Sequence, residues 1–283
     1  MTTIFNGRAF AAIMAEKLKK RIDVLLEKGI QPRMTSVVIG GDPASHMYAD
    51  LKMKKANELG ARVHIFGIAT EWDDSKIEEN KKEILIRLKK RIGEFVEHGE
   101  HGTMIQLPLP APLQDLTDEI INLIPRKMDV DGLREDSLFL HPTSKAVVEI
   151  LEEALRSRIG VRDDMLNVAV VGATGMVGTP LVKELSEMGF EVDGLSSKSD
   201  NFLERVKAAD IVISTTGVPG IIKGEMVKDG AIVIDVGAPN GDVEFESVSE
   251  KASFITPVPG GVGPVTVMCL LENLVEAAYT RAS

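Results

Sequence analysis

The chain has 283 residues, 44% hydrophobic and 27% charged, with a net charge of −10 and a single cysteine, Cys269. That composition is ordinary for a soluble globular protein and the length suggests two domains; the negative balance argues against a nucleic-acid partner, and one thiol makes neither an intrachain disulfide nor a thiolate metal cluster. No apolar run approaches the roughly 20 residues of a membrane span, no basic-then-apolar leader opens the chain, and five histidines (His46, His64, His98, His101, His141) lack metal-ligand spacing, so the expectation is a cytoplasmic protein without membrane or metal.

The first half alternates helix and strand patterns. An Asn6-Gly7 turn precedes a helical periodicity over Phe10 to Leu26. Thr35 to Ile39 reads as a buried strand ending in Gly40-Gly41-Asp42-Pro43, and a helix over Ser45 to Leu59 is closed by Gly60. A strand over Arg62 to Ile68, one long amphipathic helix over Asp74 to Glu97, and a strand over Thr103 to Leu107 follow. That order implies parallel pairing and an α/β domain over residues 1–143.

A helix over Ser144 to Arg156 leads into a second α/β unit, residues 144–264. Val168 to Val171 is an apolar strand, Gly172-Ala173-Thr174-Gly175-Met176-Val177-Gly178 a glycine-rich turn, and an amphipathic helix runs to Met188. Strands over Phe190–Leu195, Ile211–Ser214 and Ala231–Asp235 complete a dinucleotide-domain rhythm with a parallel sheet. Next comes Thr256-Pro257-Val258-Pro259-Gly260-Gly261-Val262-Gly263-Pro264, a segment whose prolines and glycines give it one shape rather than many. A last helix, Val265 to Ala278, is expected to pack back on the first domain, as residues 265–283.

The strand–glycine turn–helix context favours a pyrophosphate on backbone amides at a helix N-terminus, against the alternative of an ordinary tight turn. NAD sites usually carry an acidic residue at the end of the second strand. Here Ser196-Ser197-Lys198-Ser199 stands there, and hydroxyls with a cation suit the extra phosphate of NADP. Thr216 and Gly217 follow one strand and Ala238 the next, at carboxyl ends where such sheets bind ligands.

In the first half, Tyr48 and Lys52 lie four apart on one helix face. A lysine in a pocket can lose its proton and serve as a general base, although most such pairs merely decorate a surface. Gln106, at a strand end, can orient a lysine without an opposite charge, or can be only a satisfied polar residue. Asp129 and Asp131 share a face if their segment is extended, and a carboxylate there can accept paired hydrogen bonds; a solvated turn before Gly132 is the alternative.

These residues and their order resemble the bifunctional methylenetetrahydrofolate dehydrogenase/cyclohydrolase family. The likeness runs from Asn6-Gly7 to Leu271-Glu272-Asn273 through Gly41-Asp42-Pro43-Ala44-Ser45, Gln106-Leu107-Pro108-Leu109-Pro110, Asp129-Val130-Asp131-Gly132, Val177-Gly178-Thr179-Pro180, Val233-Ile234-Asp235-Val236-Gly237 and the proline-glycine loop. It implies a two-domain α/β fold with a Rossmann-like NADP domain, a folate site in the cleft between the domains, and a homodimer. Lys52 matches the catalytic lysine, Tyr48 the aromatic that stacks on folate, Gln106 the glutamine beside the lysine and Asp129 the pterin-holding carboxylate. Pro259, Gly260 and Gly261 are then substrate contacts. Gly172, Ala173, Thr174, Gly175, Val177, Gly178, Ser197, Lys198, Thr216, Gly217, Ala238 and Thr266 are cofactor contacts. The implied reactions are oxidation of methylene- to methenyl-tetrahydrofolate by NADP and hydrolysis to the formyl form.

Three departures stand out. Ala173 and Thr174 replace the Arg and Ser frequent after the first glycine of the loop; His141-Pro142-Thr143-Ser144 replaces a proline-cysteine-threonine-proline element; and the connection from Gly132 to Phe139 is short. They lie away from Lys52, so the expectation is altered cofactor affinity rather than lost activity. The readings set against the two-step enzyme are a dehydrogenase with weak hydrolysis, an NADP-binding regulatory module, and a shikimate-type dehydrogenase.

Overall fold

A computed structural model describes the backbone of residues 2–156 and 166–282. The chain opens with a two-residue strand, β1 (Thr3–Ile4), and a long helix, α1 (Gly7–Glu27). Contacts divide it into two units, residues 14–140 with 270–283, and residues 1–13 with 141–269.

The unit of residues 14–140 is built on three parallel strands, β2 (Arg33–Ile39), β3 (Arg62–Ile68) and β4 (Gly102–Ile105), in the order β3-β2-β4. β2 is central, pairing Val37 with Phe66 on one side and Ile105 on the other. The crossovers are α2 (Pro43–Leu59) and the pair α3 (Asp74–Glu79) and α4 (Lys81–Glu97), with a short helix α5 (Thr117–Ile121) after β4. Side chains alternate across a strand, so Val37, Ile39, Ile68 and Ile105 meet Ile77, Ile84, Leu88 and Ile92 in one buried cluster. Ile84, Leu88 and Ile92 are spaced by four and form the inward stripe of α4, each worth about 1.5–3 kcal/mol in burial.

The expected single helix over Asp74 to Glu97 is two. Its apolar period continues across the break, but Asn80 has φ −114° and ψ 17°, outside helical geometry, and its side-chain amide donates to the Lys76 carbonyl. A side chain that bonds the preceding turn competes with the helix ladder.

The other unit holds a six-stranded parallel sheet in the order β1-β9-β8-β7-β5-β6. After α6 (Pro142–Arg156) come β5 (Asn167–Val171), α7 (Gly178–Glu187), β6 (Glu191–Leu195), α8 (Phe202–Ala208), β7 (Ile211–Ser214), β8 (Ile232–Asp235), α9 (Phe245–Ser249) and β9 (Phe254–Ile255). Counting from β5, the strand order is 2-1-3-4-5, a doubly wound sheet that reverses between β5 and β7. β1, which no sequence pattern marks, pairs in parallel with β9 at the sheet edge through Thr3–Phe254 and Ile4–Ile255.

The last helix, α10 (Val262–Ala282), starts three residues earlier than expected, taking Gly263 and Pro264 into its first turn. It also corrects the reading that no apolar run reaches membrane length. Val262–Arg281 is long and apolar enough by length and composition, and 61% of that window is buried, as in a core helix. Arg21 of α1 bonds Glu272 at 3.1 Å, and the Tyr279 hydroxyl donates to the Arg21 carbonyl.

Candidate active site

Lys52 is placed by a well-started helix. Asp42 caps α2, accepting from the Ser45 amide at 2.9 Å and its hydroxyl at 2.7 Å, and Pro43 occupies the first turn. Tyr48 then stands one turn before Lys52, 42% exposed. At the end of β4, the Gln106 amide N–H continues the ladder to the Val37 carbonyl at 2.8 Å.

The side-chain amide of Gln106 donates from Nε2 to the Leu107 carbonyl at 3.0 Å, which turns Oε1 toward Lys52. Lys52 Nζ donates to that oxygen at 3.0 Å and lies 3.7 Å from Met104 Sδ. Burial pushes the lysine below its ordinary range, and the negative charge of Asp131 opposes the shift only in part. A neutral acceptor orients an amine without adding the charge that would hold its proton. The spacing of Tyr48, Lys52 and Gln106 in the sequence thus comes together in one unit.

Asp129, expected as the pterin-holding carboxylate, is enclosed by its own turn. It is fully buried, and its oxygens accept from the backbone N–H groups of Leu133 and Arg134 at 3.3 and 2.9 Å. Burial raises its carboxyl above the usual range, against those hydrogen bonds. The segment bends rather than extends: Asp129 has ψ 68° and Gly132 has φ 63°. The two aspartates therefore have different surroundings, and Asp131, partly exposed, is the one whose charge reaches Lys52. Asn273 of α10, buried, donates to the Val130 and Leu140 carbonyls at 3.0 Å each and holds this segment from behind.

The glycine turn lies at the carboxyl end of β5. The amides of Gly172 and Ala173 both donate to the Leu195 carbonyl, tying the turn to the end of β6. Gly172 has φ 90°, and a Cβ there would stand 2.7 Å from the Thr215 hydroxyl. A Cβ on Gly178, the first residue of α7, would overlap the Gly172 carbonyl. Glycine is required at both places, and the exposed Thr174, Gly175 and Met176 leave backbone open at the N-terminus of α7. A cradle of this form fits a dinucleotide pyrophosphate.

Ser197 and Lys198 are exposed in a turn after β6, where the Ser196 amide donates to the Ser199 hydroxyl at 3.0 Å and the Lys198 amide to the Ser196 hydroxyl at 3.3 Å. Asp193, the acidic residue of β6, is paired with Arg205 of α8. Thr216 and Gly217 follow β7, exposed Ala238 follows β8, and the Thr266 hydroxyl donates to the Val262 carbonyl in the first turn of α10. Pro259, Gly260 and Gly261 belong to this same unit. The Gly261 amide donates to the Pro257 carbonyl at 2.9 Å, and the turn packs on Gly7, where a Cβ would overlap the Gly261 carbonyl. Sequence reasoning missed Asp242, a buried carboxylate that gathers the loop after β7. Nothing in its local sequence marks it.

Comparison with known proteins places this geometry. Residues 5–131 match the catalytic domain of tetrahydrofolate dehydrogenase/cyclohydrolase, and residues 141–282 match the NAD(P)-binding domain of the same family. The bifunctional protein FolD of Nautilia profundicola is 38% identical, over 99% of this chain and 98% of its own. The crystal structure of the bifunctional FolD methylenetetrahydrofolate dehydrogenase/cyclohydrolase of Campylobacter jejuni superposes with a TM-score of 0.87 at 31% identity, covering 99% of this chain and 100% of that one. The Trypanosoma brucei FolD enzyme, solved with NADP cofactor and an inhibitor, gives 0.81 at 30% identity, covering 99% and 98%. The chain belongs to the tetrahydrofolate dehydrogenase/cyclohydrolase family.

Proposed function

We propose that this protein oxidises 5,10-methylenetetrahydrofolate with NADP and hydrolyses the resulting methenyl cation to 10-formyltetrahydrofolate. The observation that carries the reading is the Lys52 amine, pushed toward its neutral form by burial and oriented by a neutral amide at 3.0 Å.

The two steps ask different things of the protein. Hydride leaves a carbon flanked by two nitrogens, so the product is a delocalised cation and no acid or base is needed there. NADP, when bound, accepts that hydride. The chain's part is orientation: the exposed ring of Tyr48 offers a stacking face, and Asp131 offers a carboxylate for the donor edge of the pterin. Asp131 replaces Asp129 in this role because the Asp129 carboxylate is enclosed and bonded to its own turn. Hydrolysis adds water to the cationic carbon, and a proton must leave that water as the C–O bond forms. Lys52 in its neutral form takes the proton, Gln106 Oε1 keeps the amine aimed, and a neutral amine adds no repulsion to the cation. In the neutral adduct the C–N bond to the ring nitrogen then breaks, that nitrogen gaining a proton as the hydroxyl loses its own, and the formyl group is left on the other nitrogen, with the first proton released from Lys52 to solvent.

The pyrophosphate is assigned to the amides of residues 172–178, the 2′-phosphate to Ser197 and Lys198, and the nicotinamide half to Thr216, Gly217 and Ala238, with Thr266 beside it. Pro259, Gly260 and Gly261 are assigned to the folate. In this reading residues 1–143 with 265–283 form the catalytic domain, Thr266 apart; residues 144–264 form the cofactor domain, Pro259, Gly260 and Gly261 apart; and the protein works as a cytoplasmic homodimer. The test supplies methylenetetrahydrofolate with NADP or NAD and follows reduced cofactor and formyl product. Turnover of both, faster with NADP, is expected; absence of turnover with either cofactor refutes the reading.

A further inference from the structure

Two buried aspartates that touch neither the glycine turn nor Lys52 organise the loops after β7 and β8. Asp242 is 0% exposed, and its Oδ2 alone accepts from the Ser214 hydroxyl at 2.8 Å, the Thr216 amide at 2.7 Å, the Thr216 hydroxyl at 2.9 Å and the Gly217 amide at 3.2 Å. Its Oδ1 is buried without a hydrogen-bond partner. Asp235, at the end of β8, accepts from the amides of Gly237 at 2.8 Å, Asp242 at 3.0 Å and Val243 at 2.9 Å. The packing is close enough that a Cβ on Gly241 would stand 2.5 Å from Asp235 Oδ2.

The arrangement is a relay. Asp235 closes the turn from Gly237 to Val243 around its own carboxylate and so sets the backbone of Asp242. Asp242 then holds the end of β7 through Ser214 and draws in the loop after it through three donors on Thr216 and Gly217. An ionised acceptor gives stronger hydrogen bonds than a neutral one, and a buried charge with one orphaned oxygen is costly to keep. Removing Asp242 would leave two backbone amides and one hydroxyl of that loop, and the Ser214 hydroxyl at the end of β7, without this acceptor.

We infer that Asp242 is a positioning residue for the nicotinamide half of the cofactor, fixing Thr216 and Gly217 against the turn that carries Ala238. The inference rests on the cofactor assignment proposed above. It separates the two halves of the nucleotide: the glycine turn and Ser197–Lys198 hold the adenosine end without Asp242, and the loops after β7 and β8 hold the other end only with it.

The test measures binding by calorimetry, with NADP and with adenosine 2′,5′-bisphosphate, which lacks the nicotinamide half. In Asp242→Ala, NADP should bind about 30-fold more weakly, given the number of charge-assisted hydrogen bonds lost. Adenosine 2′,5′-bisphosphate, whose contacts are assigned elsewhere, should bind within about twofold of wild type. Hydrolysis of methenyltetrahydrofolate, which needs no cofactor, reports whether the variant is folded. If Asp242→Ala loses that activity too, Asp242→Asn takes its place. Its amide oxygen still accepts from the loop but lacks the charge, so NADP binding should weaken about 5- to 10-fold with the bisphosphate unaffected. Equal weakening of both nucleotides, or of neither, in the folded variant overturns the inference. Failure of the wild-type protein to bind NADP at all refutes the cofactor assignment instead.

Discussion

The Lys52 cluster and the glycine turn, in the roles proposed for them, solve recognition in opposite ways. Around Lys52 the work falls to side chains: one amine, one amide and one carboxylate, set on a helix, a strand end and a turn. In the cradle it falls to backbone, and side chains act mostly by being absent, at Gly172 and Gly178, or by holding backbone in place, as Asp235 and Asp242 do. Each site is fragile in its own way. A reactive side chain fails when its charge balance changes, and a backbone cradle fails when volume is added.

The cradle should break most completely. Gly178→Ala puts a methyl group into the Gly172 carbonyl, and backbone cannot yield as a side-chain tip can. NADP binding should fall by about 100-fold or more, with stability lower by roughly 2–3 kcal/mol, an overpacking cost. Calorimetry and thermal unfolding measure both, and hydrolysis of methenyltetrahydrofolate should persist in the folded fraction.

The Lys52 cluster should instead break through charge. Gln106→Glu keeps the shape but places a carboxylate against the amine, raising the lysine back toward its ordinary range. Hydrolysis at neutral pH should drop about 10- to 100-fold, the scale of one general-base contribution, and recover toward high pH. Oxidation should change little. Equal loss of both activities across the pH range would mean that Gln106 serves binding alone.

The two aspartates of the Asp129-Val130-Asp131-Gly132 stretch show what sequence could and could not settle. The meeting of Lys52 with Gln106 was legible in part: a helix face and a strand end place side chains by local geometry, but spacing alone did not separate them from surface decoration, and the family resemblance singled them out. Asp129 and Asp131 differ by a bend at a 3-10 turn, and a two-residue spacing tells their faces apart only if the chain is extended. Asp242 was illegible for another reason: it acts 25–28 residues away, on a loop from a neighbouring strand. β1 escaped because two residues carry no period, and its partner β9 lies some 250 positions along the chain. The glycine turn was legible because its requirement is steric and local.

Smaller effects sharpen the same contrast. His101, buried beside Arg33 and Arg281, is lowered to about 4 mainly by burial and then by those two charges. Its folded value lies below the unfolded 6.5, so the unfolded state binds the extra proton first, and stability is lost as pH falls from 6.5 through about 4. His101→Gln should flatten that part of the stability curve, by roughly 2–3 kcal/mol, without shifting NADP affinity. Lys198→Ala should weaken NADP about 3- to 10-fold and leave NAD unchanged, as expected of one exposed cation facing a phosphate. A matching loss for NAD would remove the 2′-phosphate assignment.

Lys52 itself joins stability to chemistry. Its folded value is lowered, so the protonated form is disfavoured on folding; the cost is full below the folded value and fades as pH rises through the unfolded 10.5. Lys52→Met should therefore be more stable than wild type at neutral pH, with the gap closing near pH 10.5. The decisive measurement follows methenyltetrahydrofolate by absorbance during NADP-dependent oxidation by Lys52→Met. The account predicts that oxidation continues and methenyl product accumulates, because its hydrolysis has fallen by about 100-fold or more. Methenyl product hydrolysed as fast as in wild type would contradict it.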